Sequence, residues 1–210
     1  MLVGFSNETA DYDVTANHSI DVAEFSIVNA SRLCSSGTGE CHAGIPGCVQ
    51  IFPSATALMF DAALDVLPAR LHERVTCSIV AAVKYDIPAD VILAVAETEG
   101  GKPGQWVKNS NATYDVGAMQ FNTSYLKELA RFGITAQDVE NPGCYPYDLA
   151  AWRLFRHLSL DHGDVWQRAA NYHSKTPKYN AIYRAKLVKS GAKWNQWLSR
   201  HYQTRIVATP

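Results

Sequence analysis

From Ala69 onward apolar residues recur at helical spacing, and before it they do not. Val75, Ile79, Val80 and Val83 step by three and four, which predicts a helix over 69–85. Asp86-Ile87-Pro88 then interrupts with helix-start chemistry: Pro88 suits a first turn, and the Asp86 carboxylate is an acceptor for orphan amides. The next run, 89–98, is apolar nearly all round and predicts a short central helix. Gly100-Gly101 ends it, because glycine takes positive φ without strain. The stretch 102–122 is rich in Gly, Asn, Ser and Thr and reads as a long loop with a small β-hairpin, and a loop this long inside a compact domain is usually functional. Helices resume over about 123–132, 147–162, 165–172, 177–189 and 193–202. Trp152, Phe155 and Leu158 share one helical face, and Ile182 and Leu187 another. His157 and His162 read as solvated helix residues.

The pattern divides the chain into a loosely ordered extension (1–68), a helical domain (69–203) and a short tail (204–210). No internal repeat is visible. The uncharged stretch 44–60 has the makings of a weak export or membrane-associating segment, but Pro46, Pro53 and its polar positions favour an ordinary packed segment. The Met1 end is polar and acidic, unlike a signal peptide, and no stretch is a convincing transmembrane span.

Composition adds little beyond this. The chain has 210 residues, 47% hydrophobic and 19% charged, as in globular domains, and a formal net charge of −1 gives no global field for nucleic acid. Of five cysteines, Cys34, Cys41 and Cys48 lie in the extension, while Cys77 opens one predicted helix and Cys144 precedes another. No C-x-x-C pair appears, so no zinc site is expected. Cys77 and Cys144 are candidates for a disulfide stapling the helical domain, with two buried free thiols as the alternative. A disulfide would point to an oxidising compartment such as the periplasm.

The candidate chemistry centres on Glu99. It follows Ile92, Leu93, Val95 and Ala96 at a helix C-terminus, and both desolvation and the negative end of the helix dipole raise a carboxyl pKa. An acid still protonated near neutral pH can deliver a proton to a poor leaving oxygen. The plain alternative is a solvated helix-end carboxylate. Glu97, two positions earlier, lies on another face of the helix. No Ser-His-Asp arrangement, phosphate loop or cofactor motif stands out.

Three blocks in order complete the pattern: Glu99-Gly100-Gly101; Asp115-Val116-Gly117-Ala118-Met119-Gln120-Phe121-Asn122; and Ala169-Ala170-Asn171-Tyr172-His173-Ser174-Lys175-Thr176-Pro177. Together they resemble the lysozyme-like lytic transglycosylases, and most closely the small transglycosylases of plasmid conjugation and type IV secretion. Those proteins share the Glu-Gly-Gly, a cysteine after the cleft loop (here Cys144) and the Tyr-His-Ser-x-Thr-Pro run. The resemblance covers roughly 74–189. It implies a mainly α, lysozyme-like domain with a cleft, acting in the periplasm or cell envelope on peptidoglycan strands without a cofactor or metal.

By this resemblance Glu99 is the catalytic acid. It protonates the bridging oxygen and then draws the proton from the C6 hydroxyl, leaving a 1,6-anhydro sugar. Glu99 is preferred to Glu97 because a small residue follows it directly. Gly117, Met119, Gln120, Asn122, Tyr172 and His173 line the sugar site. Gly117 admits a close backbone approach, Gln120 offers amide groups, and the Tyr172 hydroxyl reaches the carboxylate or the substrate acetamido group. The second block also resembles the lysozyme segment that carries a second carboxylate. Asp115 is therefore open between a catalytic role and a turn role, since a retaining hydrolase needs two carboxyls roughly 5 Å apart. The expected partners are peptidoglycan and components of a secretion or conjugation machine or a virion. A hydrolytic muramidase, a non-catalytic peptidoglycan-binding assembly protein and a virion-associated lytic enzyme are the rival readings.

Overall fold

The structure, a computed structural model of the chain, describes residues 49–51, 66–202 and 204–206. Most of the predicted N-terminal extension, with Cys34, Cys41 and Cys48, lies outside the described residues. The elements run β1 (Val49–Ile51), α1 (His72–Lys84), α2 (Ala89–Glu99), β2 (Trp106–Lys108), β3 (Tyr114–Val116), β4 (Phe121–Asn122), α3 (Thr123–Leu129), α4 (Ala136–Glu140), α5 (Tyr145–Leu160), α6 (Val165–Ala170), α7 (Pro177–His201) and β5 (Thr204–Ile206). The fold is mainly α with a small three-stranded antiparallel sheet, β2-β3-β4. No helix among the described residues is long and apolar enough to cross a membrane.

Helix α2 is the axis of the core. Val91 to Ala96 have no exposed surface, and each large side chain among them contributes about 2 kcal/mol by leaving water. The helix is covered by α1, α5, α6 and above all α7. Its start differs from the expectation: Pro88, not Asp86, occupies the cap position, and Asp86 takes φ +50° in the turn before it. Its end is as expected, with Gly100 left-handed at φ +62°.

The buried stripes of α5 and α7 are rotated from the sequence reading. Leu154 and Leu158 are buried on α5 while Phe155 is exposed; Tyr183 and Leu187 are buried on α7 while Ile182 is exposed. His157 is half-buried and pairs with Asp161 at 2.7 Å, whereas His162 is exposed beyond the helix end. Helix α7 is also one rod of 25 residues where two helices were expected. Gly191 lets it pass beneath the Trp166 ring, since a Cβ there would come within 2.1 Å of that ring.

Cys77 on α1 and Cys144, just before α5, form a disulfide with Cα atoms 4.9 Å apart. At the outer ends of the described chain, β1 and β5 pair antiparallel, with Val49 opposite Ile206 and Ile51 opposite Thr204. Strand β1 lies against α1, α2 and α7.

Candidate active site

The last turn of α2 presents two carboxyl groups in opposite settings. Glu97 accepts hydrogen bonds from Ser190 Oγ (2.7 Å), Lys193 Nζ and Trp194 Nε1 (both 2.5 Å), so it pins α2 to α7. Burial raises its pKa, but bonds from Lys193 and Ser190 outweigh that and hold the carboxyl below its usual range. Glu99 accepts one hydrogen bond, 2.5 Å from the Tyr183 hydroxyl. Burial pushes its pKa up to about 7; the Tyr183 bond opposes this, Asp115 adds to it, and Arg153 and Lys186 oppose it. A carboxyl with this pKa holds a proton for about half the time at neutral pH. That is the range in which a general acid works best.

Three sequence candidates converge here. Asp115 acts on Glu99 through its charge, and also on His173. The His173 ring stacks on the Tyr183 ring, centroids 4.8 Å apart and planes 8° from parallel. Burial lowers the His173 pKa, which keeps the ring neutral at pH 7.

Gly117, Met119 and Gln120 lie in the turn between β3 and β4, and Asn122 ends β4. Gly117 (φ +72°) is packed so tightly that a Cβ would meet the Val139 carbonyl at 1.9 Å. Gly117→Ala is therefore expected to cost about 3 kcal/mol, through positive φ and overpacking together, read as a lower urea midpoint. Met119 is fully buried. Gln120, at φ +50°, donates its Nε2 to the Gly117 carbonyl at 2.8 Å. Asn122 caps α3 by accepting from the Ser124 amide and donates to Asp115 Oδ1 at 2.8 Å, so part of its hydrogen-bonding capacity is already used.

Tyr172 makes no hydrogen bond to Glu99 among the described residues. Its buried hydroxyl donates to the Met119 carbonyl at 3.0 Å. The hydroxyl on Glu99 belongs instead to Tyr183, which the sequence reading missed. One signal was available: Tyr183 falls in register with Asn180, Leu187, Trp194 and Leu198, the buried stripe of α7. A tyrosine in such a stripe needs a partner for its hydroxyl.

The segment bearing Tyr172 and His173 is held from behind. Asp161 accepts from His157, Asn171 and Lys175, and Asn180 donates to Asn171 Oδ1 at 2.7 Å. Burial raises the Asp161 pKa, but bonds from Lys175, Asn171 and His157 prevail and hold the carboxyl at about 2. No group of three or more potential metal-ligating side chains occurs among the described residues.

With this arrangement in view, two sequence relatives can be placed. The chain is 29% identical over 104 residues to "Protein IpgF" of Shigella flexneri, covering 49% of this chain and 68% of the relative. It is 25% identical over 114 residues to "Invasion protein IagB" of Salmonella typhimurium, covering 54% of this chain and 71% of the relative. No family model matches the chain. It is thus distantly similar to a named invasion protein across about half its length.

Proposed function

We propose that the chain is a peptidoglycan lytic transglycosylase of lysozyme-like fold, with Glu99 as its single acid and base. The observation that carries this reading is the pairing of a desolvated Glu99, pKa about 7, with the Tyr183 hydroxyl. The protonated carboxyl gives its proton to the oxygen bridging N-acetylmuramic acid and N-acetylglucosamine, and the C–O bond breaks. The carboxylate then takes the proton of the C6 hydroxyl as that oxygen closes on C1, so no water is consumed. Tyr183 steadies the carboxylate between the two steps, and the neutral His173 ring holds Tyr183 in place.

Asp115 supports a second reading, a hydrolytic muramidase, because its charge reaches Glu99. Its 2.8 Å bond from Asn122 favours the structural role instead. Mass spectrometry of fragments released from purified peptidoglycan separates the two. Ends one water lighter, as 1,6-anhydro-N-acetylmuramic acid, support the transglycosylase. Reducing ends support the hydrolase and promote Asp115. No fragments at all would favour a peptidoglycan-binding protein. The Cys77–Cys144 disulfide supports placement in the cell envelope. A local opening of the wall for a macromolecular machine fits this activity, and the Salmonella relative is named an invasion protein.

The pH profile follows from Glu99. Cleavage needs the protonated form, so the rate falls as pH rises through about 7. Tyr183→Phe removes a hydrogen bond that favours the carboxylate. The alkaline limb is then expected to move to higher pH while the peak rate drops about tenfold, both read from one pH–rate series.

A further inference from the structure

Helix α7 carries no acidic residue from Pro177 to His201, in a chain whose formal net charge is −1. Two of its cations are engaged: Arg184 with Asp164 and Lys193 with Glu97. Lys178, Lys186, Lys189 and Arg200 make no ion pair among the described residues, and of these Lys186 is the one whose charge acts on Glu99 and His173. Lys186 is exposed and lies three positions beyond Tyr183, one turn along the same helix. Tyr179 and Ile182, each 53% exposed, stand at i−7 and i−4 from it and share its face.

An ammonium without an ion pair among the described residues, beside an exposed ring and an exposed aliphatic chain and one turn from the tyrosine that bonds the Glu99 carboxyl, matches an anionic peptide better than a neutral sugar. We propose that Lys186, Tyr179 and Ile182 form a subsite for the carboxylate-bearing peptide that hangs from the muramic acid, so that the protein prefers strands carrying their peptides. The lactyl ether that bears this peptide belongs to the sugar whose bond is broken, so the peptide begins on the same residue that the Glu99 carboxyl acts on. The inference rests on the proposed peptidoglycan substrate.

The test compares kcat/KM on three soluble strands: peptide-bearing, stripped of peptide by an amidase, and peptide-bearing with the peptide carboxylates amidated. The native protein is expected to favour the first over the other two. Lys186→Gln is expected to reduce that ratio about fivefold, and Lys186→Arg to restore most of it. A native ratio near one, or a Lys186→Gln variant that slows all three strands equally, would overturn the subsite and leave Lys186 acting only through the charge of Glu99. These results are distinct from failure of the underlying reading. If the native protein makes no anhydro ends from any strand, both fall; anhydro ends with a flat ratio remove the subsite alone.

Discussion

Glu99→Gln is expected to lose about a thousandfold in glycan cleavage and yet to be the more stable protein above neutral pH. The first half follows from the role of a general acid, whose removal costs on the order of 10²–10⁴ in rate. Glutamine keeps the shape and an oxygen to accept from Tyr183, so the loss is of the proton rather than the geometry. The second half follows from linkage. The folded Glu99 pKa stands at about 7 against an ordinary 4.5. Between those values the folded protein holds a proton that the unfolded chain has released. Stability therefore falls as pH rises through this window and levels off above it. The cost at pH 8 is about 2–3 kcal/mol, allowing for partial solvent access. Glutamine never ionises and escapes it. Urea midpoints of both proteins at pH 4.5 and pH 8 check this. The variant should gain at the higher pH and show little difference at the lower. A gain absent at both would mean that Glu99 is an ordinary solvated carboxylate, and the assignment of the acid would fail with it.

Cys144→Ser is expected to have the largest effect on stability alone. The Cys77–Cys144 bond closes a loop of sequence separation 67 and ties α1 to the start of α5. In the chain-entropy model a loop of this length is worth about 4 kcal/mol, because the unfolded chain loses most of the freedom to separate those ends. Cys77 is almost wholly buried, so the variant also leaves a lone thiol in a space shaped for a bridge. The denaturant midpoints of native protein, native protein under reductant and the variant check the value. The last two should coincide well below the first. Coincidence of all three would show that the loop is already constrained in the unfolded state.

The sequence was most legible where one physical demand acted alone. A helix apolar all round has nowhere to sit but the centre, so α2 and its glycine stop could be read directly. Elements set by long-range packing were harder. The faces of α5 and α7 came out rotated because Phe155 and Ile182 are apolar but exposed, and only tertiary contact decides such cases. The sequence reading divides α7 in two between 189 and 193, whereas Gly191 lies inside one continuous helix and gives clearance for Trp166. Helix α4 was missed altogether because it has only five residues, although Thr135 and Asp138 form the reciprocal cap that announces it. At the candidate site, the desolvated setting of Glu99 was legible from its local run and the glycines after it. Tyr183 was not, because its bond to Glu99 spans 84 positions and no local pattern encodes that distance.

The pairing of β1 with β5 has a mechanical consequence. Because Val49 faces Ile206, the chain enters and leaves the helical domain side by side at one end of a three-residue ribbon. Strands in such a pair lie about 5 Å apart. A pull on the two described ends would load the ribbon in the unzipping direction, one hydrogen bond at a time. Tension applied across those ends is expected to part the ribbon first, with the carboxyl on α2 and the tyrosine on α7 keeping their register.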